Sequence, residues 1–120
     1  MCVSRTVSVG IRVPSWGYEE HGHDLEIWAC FRPDGRVDIE GLRSLLARLL
    51  DRYDHRPLWR VLGEDALIED LLEDLCSSLE RSLAESHASA RPILVEARFA
   101  SSRIIIECDD EDHSRRGARL

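Results

Sequence analysis

Two histidines separated by one glycine, His21-Gly22-His23, open the run Asp24-Leu25-Glu26-Ile27-Trp28-Ala29-Cys30-Phe31. In an extended strand, positions i and i+2 face the same side. Two imidazoles so placed can approach one metal ion from one direction. Zinc takes neutral imidazole readily, and its protein sites generally use at least three side-chain ligands. The pair therefore supplies part of a zinc site and asks for a third donor from elsewhere in the chain. The competing reading is two surface histidines near a strand end.

The elements that must position this pair follow from hydrophobic period. Residues 2–13 alternate, with Val3, Val7, Val9, Ile11 and Val13 on one face and Ser4, Thr6, Ser8 and Arg12 on the other. That is a half-buried strand. Pro14 to Tyr18 break it as a loop. A second strand is expected over about residues 21–32, with Leu25, Ile27, Ala29 and Phe31 continuing the face of the histidines. Pro33-Asp34-Gly35 has turn chemistry. Asp38 is placed to cap a helix. Its apolar stripe is Ile39, Leu42, Leu45, Leu46, Leu49, Leu50 and Tyr53. That helix is expected to end near Asp54-His55, closed by Pro57. Residues 58–63 are expected to connect to a second helix over about 65–87. Leu67, Leu71, Leu72, Leu75, Leu79 and Leu83 form its inner face, and Glu69, Asp70, Glu73, Asp74 and Glu80 its solvated face. Strands over 93–100 and 103–108 follow, joined by a hairpin at Ser101-Ser102.

The resulting order is strand, strand, helix, helix, strand, strand. It predicts an α+β domain of two hairpins in one antiparallel sheet, with both helices on one face. Residues 1–110 form the domain, and the charged residues 111–120 a loosely held tail. At 120 residues the chain is long enough for one real core. Its formal charge of -7 argues against nucleic acid as main partner, because phosphate binding needs a basic face. All 16 basic residues are arginine. No apolar run approaches a membrane span, and no export signal is visible. A cytoplasmic protein that engages no membrane is expected. Cys2, Cys30, Cys76 and Cys108 contain no Cys-x-x-Cys pair, and free buried thiols are the expectation for such a chain. A disulfide enters if the source is a hyperthermophile.

Motifs at four places along this order resemble the 6-pyruvoyltetrahydropterin synthase family, which includes the 6-carboxytetrahydropterin synthases. They are His21-Gly22-His23-Asp24 ahead of a strand, and Gly35-Arg36-Val37-Asp38-Ile39 at the first helix. The others are Leu50-Asp51-Arg52-Tyr53-Asp54-His55-Arg56-Pro57-Leu58 and Val95-Glu96 in the third strand. The resemblance spans about residues 3–108. It implies the tunnelling fold, or T-fold. It also implies a homohexamer of two stacked trimers and lyase-type chemistry on dihydroneopterin triphosphate or a related pterin.

By that resemblance, His21 and His23 match two zinc ligands, Asp54 and His55 a proton-relay pair, and Glu96 the carboxylate that anchors the pterin ring. The residue types suit those roles. Zinc acidifies positions beside a bound carbonyl or hydroxyl. A carboxylate-oriented histidine moves protons near neutral pH. A carboxylate accepts two parallel N–H groups from a guanidine-like edge. Three departures stand out. Ile11 occupies the place of the third zinc histidine. Residues 14–20, just before His21, contain no cysteine, so Glu20, or Glu19 beside it, is the candidate base or substitute zinc ligand. The threonine motif that opens the second helix in the family is replaced by Ala66-Leu67-Ile68-Glu69-Asp70. The alternative is therefore a catalytically degenerate member that binds a pterin or serves in assembly.

Without the resemblance, Asp54-His55 is a polar pair at a helix C-terminus, where a histidine suits the helix dipole. Glu96 is then a solvated strand residue, and Trp16, Trp28 and Trp59 pack in the core or an interface.

Overall fold

Alternation in the first strand and a matching alternation in the second place two apolar faces side by side. In the computed structural model, β1 (Cys2–Arg12) pairs antiparallel with β2 (Glu20–Pro33), from Cys2 opposite Cys30 to Arg12 opposite Glu20. Residues 1–12, 20–33, 38–63, 66–86 and 90–108 are described, except the side chains of residues 12, 20–23 and 33. The expected loop at 14–18, Glu19, the 34–37 turn and the 111–120 tail lie outside the described residues. Val3, Val7, Val9 and Ile11 are buried beside Leu25, Ile27, Ala29 and Phe31.

The helices cover that face. α1 (Ile39–Leu50) buries Leu42, Leu46 and Leu50. After the two-residue β3 (Arg56–Pro57) and the short α2 (Leu58–Leu62), α3 (Ile68–Glu85) buries Leu71, Leu72, Leu75, Leu79 and Leu83 among others. α1 packs on β1, and α3 on β4 (Ala90–Phe99) and β5 (Ser102–Glu107). Each fully buried leucine contributes about 2 kcal/mol through removal of apolar surface from water.

The expected α+β layering holds, and the sheet differs in detail. Among the described residues it has five strands in the order β3-β1-β2-β4-β5. Every pairing is antiparallel except β1 with β3, which is parallel. Residues 58–63, expected only to connect, include α2. Chain geometry after α1 explains both changes. The helix stops at Leu50, short of the expected end, and the amides of Tyr53 and Asp54 both bond back to the Leu50 carbonyl. Tyr53 still reaches the core, but from the turn, and its hydroxyl donates to Asp74. His55 then takes a positive φ of 57°, which turns the chain along the edge of β1. The turn packs against Gly10, where a Cβ would lie 3.4 Å from the Pro57 backbone and 3.8 Å from the Trp59 ring, both ordinary contact distances.

Other expectations are corrected locally. Asp38 sits at the N-cap position of α1 without a side-chain capping bond. α3 starts at Ile68, later than expected, where Asp70 accepts the Leu67 amide at 2.7 Å. Asp74, placed on the solvated face, instead holds the Tyr53 hydroxyl and lies 3.1 Å from Arg52. β4 begins at Ala90, ahead of Pro92, and a bulge opposite Cys30/Phe31 accommodates the proline. Beyond that bulge Ala90 and Pro92 turn to the buried side.

The largest correction concerns the cysteines. Cys2–Cys30 and Cys76–Cys108 are disulfides, where free thiols were expected. Cys2 and Cys30 share one rung of the β1–β2 ladder. Cys76, on the buried side of α3, meets Cys108 just past β5 at a Cα separation of 5.4 Å. Sequence spacing carries neither proximity, because both depend on register and packing.

Candidate functional site

Glu96 stands in β4 between Val95 and Ala97, which are buried in the core. Alternation turns Glu96 to the opposite face of the sheet, the face without helices. It is nonetheless buried, with its side chain 8% exposed, so the solvated reading does not hold. The reason lies in the β2–β4 register. Trp28 is directly opposite Glu96, and Glu26 is opposite Arg98. These four side chains share one face on two successive same-face rungs. The Nε of Arg98 donates to Glu96 Oε2. The Arg98 guanidinium lies over the Trp28 ring, 4.7 Å from its centroid. Trp28 Nε1 donates to Glu26 Oε1, and Arg98 Nη1 is 3.8 Å from that same oxygen.

Asp54 and His55 are placed by the turn after α1. Asp54 Oδ1 accepts the Ser8 amide at 2.9 Å, and the His55 amide donates to the Ser8 carbonyl at 2.7 Å. Together they occupy both backbone groups of Ser8 and stitch the turn to the sheet. The imidazole of His55 is 80% exposed, and its Nε2 is 3.8 Å from Asp54 Oδ2. That separation exceeds hydrogen-bond reach. In this arrangement Asp54 works as a backbone anchor, with the imidazole free in solvent.

Glu96 and the Asp54-His55 pair do not meet within one chain. Ser8 is opposite Asp24 on β2, while Glu96 is opposite Trp28 on the other side of β2. Two strand spacings across and four residues along give roughly 16 Å between these positions.

His21, His23 and Glu20 lie in β2 opposite Ile11, Val9 and Arg12. Their side chains, and all of Glu19, lie outside the described residues. The residue that shares a rung with His21 is thus Ile11, a buried hydrocarbon side chain that cannot coordinate. Ile11 therefore adds no donor to the histidine pair. Among the described residues, no group of three or more His, Cys, Asp or Glu side chains is placed to hold a metal ion.

A separate open cleft of about 490 Å³ runs between the end of α2 and the first turns of α3. Asp70, Glu73 and Asp74 line it with Ser77. It contains none of the residues expected to do chemistry. Two of its carboxylates already serve structure: Asp70 takes the Leu67 amide and Asp74 the Tyr53 hydroxyl.

The residues that sequence reasoning missed are Glu26 and Arg98. Their signal was present as two i, i+2 pairs, Glu26-Trp28 and Glu96-Arg98, one acidic-aromatic and one acidic-basic. Only the register joins the pairs into one group.

No protein-family model matches the chain, and no curated protein matches it. Among solved structures, the chain is similar to the uncharacterized protein WS1659 from Wolinella succinogenes. The TM-score is 0.56 at 16% sequence identity, over 91% of this chain and 97% of that one. The likeness is one of fold. Among the described residues, no helix is long and apolar enough to cross a membrane.

Proposed function

We propose that the protein is a T-fold, tetrahydropterin synthase-like protein whose primary act is to bind a pterin. The observation that carries this reading is the burial of Glu96 on the helix-free face, beside the Trp28 ring. A carboxylate withdrawn from water gains most from a ligand that offers two parallel N–H donors, and the 2-amino edge of a pterin offers them. An indole beside it supplies a stacking surface. The test is equilibrium dialysis of the purified chain with biopterin. Saturable binding that Glu96→Gln removes supports the reading; a wild-type protein that leaves biopterin evenly distributed sinks it.

Of the two chemical readings, the degenerate binder is favoured over an active lyase. Ile11 stands across from His21, where the zinc set needs a third donor, and Asp54 is engaged by the Ser8 backbone. An active lyase would need Glu20, Glu19 or a residue of another chain to complete the set. Dihydroneopterin triphosphate is the substrate to try for that second reading.

The proposal includes a homohexamer. Among the described residues, β5 is an open edge and β3 covers β1 at Val9 and Gly10 alone. Open edges invite pairing with another copy, and a second copy would bring Asp54-His55 toward Glu96. Sedimentation as a monomer at micromolar concentration would remove this part. The proposal also places the protein in the cytoplasm. Two disulfides are rare there outside hyperthermophiles, so the oxidation state of the four cysteines in the cell is the measurement that bears on that placement.

A further inference from the structure

We infer that Trp28, Glu26 and Glu96 form a cradle for a planar guanidinium-like group, and that Arg98 is its resident occupant, which a ligand must displace. The inference rests on the pterin reading and assigns that site its specificity and its gate. A planar cation or amidine-edged ring held between two carboxylates and flat on an indole is the arrangement such a group prefers. Arg98 adopts it with its own chain: guanidinium 4.7 Å from the Trp28 centroid, Nε donating to Glu96, Nη1 3.8 Å from Glu26.

The occupant leaves part of the site's bonding capacity unused. Nε makes a single bond to Glu96, and the approach to Glu26 is beyond hydrogen-bond distance. Neither contact is the two-point fork that makes guanidinium–carboxylate pairs strong. Arg98 and Glu26 are each 48% exposed, so water competes for both, while Glu96 is 8% exposed. Glu96 is thus withdrawn from water, while Arg98 faces it. A ligand with two parallel N–H donors makes both bonds to Glu96 and takes the place of Arg98 on the ring. The freed arginine then extends into water from the surface.

The experiment titrates biopterin and, separately, methylguanidine into wild-type protein, Arg98→Gln and Arg98→Lys. Binding is read by equilibrium dialysis and calorimetry, and thermal melting shows that each variant is folded. Removal of the competing occupant should tighten biopterin by about tenfold in Arg98→Gln. Arg98→Lys keeps the charge but loses the planar stack, so it should fall between, and it carries the comparison if the glutamine variant does not fold. Glu96→Gln in the Arg98→Gln background should abolish the gain. Equal biopterin affinity in wild type and both variants overturns the gate and leaves the pterin reading standing. Methylguanidine binding to Arg98→Gln but not to wild type, with no biopterin bound by either, upholds the cradle and ends the pterin reading. Absence of both ligands from a folded Arg98 variant overturns both.

Discussion

The Asp54 carboxylate accepts the backbone N–H of Ser8 at 2.9 Å, across 46 positions of chain. With the His55 amide on the Ser8 carbonyl, it replaces the strand neighbour that β1 lacks at that point. Asp54→Ala should destabilise the fold by about 1–3 kcal/mol, because it strands a partly buried amide. Asp54→Asn keeps an acceptor oxygen and should lose less. His55→Ala removes an exposed imidazole and should stay within about 0.5 kcal/mol. Urea unfolding of the three variants decides the ranking. If His55→Ala costs as much as Asp54→Ala, the anchoring role is wrong.

The β4–β5 hairpin turns through Ala100 and Ser101, and Ala100 holds a φ of 51°. That left-handed conformation costs an alanine about 1 kcal/mol, and glycine is free of the cost. Ala100→Gly should therefore raise the melting temperature by a few degrees, offset in part by the greater freedom of glycine when unfolded. Differential scanning calorimetry measures the sign directly, and a lowered midpoint refutes the argument.

The two disulfides should differ in access. Cys2 is exposed and Cys30 half-buried, whereas Cys76 and Cys108 are buried. Mild reductant under native conditions, followed by alkylation and peptide mass mapping, should label Cys2 and Cys30 first. Loss of Cys76–Cys108 by double replacement with alanine should cost about 3–4 kcal/mol, from the closure entropy of its loop. Labelling of Cys76 and Cys108 ahead of the other pair would contradict the burial argument.

A metal prediction follows from the β1–β2 register. Ile11 shares a rung with His21, and Val9 shares one with His23. Ile11→His would add a third imidazole on that rung and should raise zinc affinity by at least about tenfold over wild type, as a set of three ligands replaces two. Zinc content after dialysis against a competing chelator gives the comparison. One tightly held zinc per wild-type chain would mean that another residue already supplies the third donor, and Glu20 and Glu19 would be the first to replace.

What the sequence made legible is what period and turn chemistry encode locally. Val3, Val7, Val9 and Ile11 fall on one alternating face and are buried; Leu42, Leu46 and Leu50 recur at steps of four and are buried. The helix end was misplaced because Tyr53 continues the stripe numerically while reaching the core from a turn. The short α2 escaped because five residues carry too little period to register. The site was legible only in part. Glu96 stood out by its place in an apolar strand, but its burial depends on Trp28 and Arg98, and that contact exists only once β2 and β4 are aligned at Trp28–Glu96. The disulfides hide for the same reason: no rule of spacing brings residue 2 to residue 30.

The cross-links also decide how the molecule would carry load. Cys2–Cys30 and Cys76–Cys108 close two covalent rings that do not overlap along the chain. A pull on the two ends would pass straight from Cys2 to Cys30 and from Cys76 to Cys108, and would bypass the loops between them. The extensible contour of the oxidised chain is shorter than that of the reduced chain by about 200 Å. The β1–β2 and β4–β5 hairpins sit inside the rings and are shielded from tension. Residues 31–75, with α1, α2 and the first half of α3, form the one internal stretch that yields, so the helical layer is the mechanical fuse of the oxidised protein.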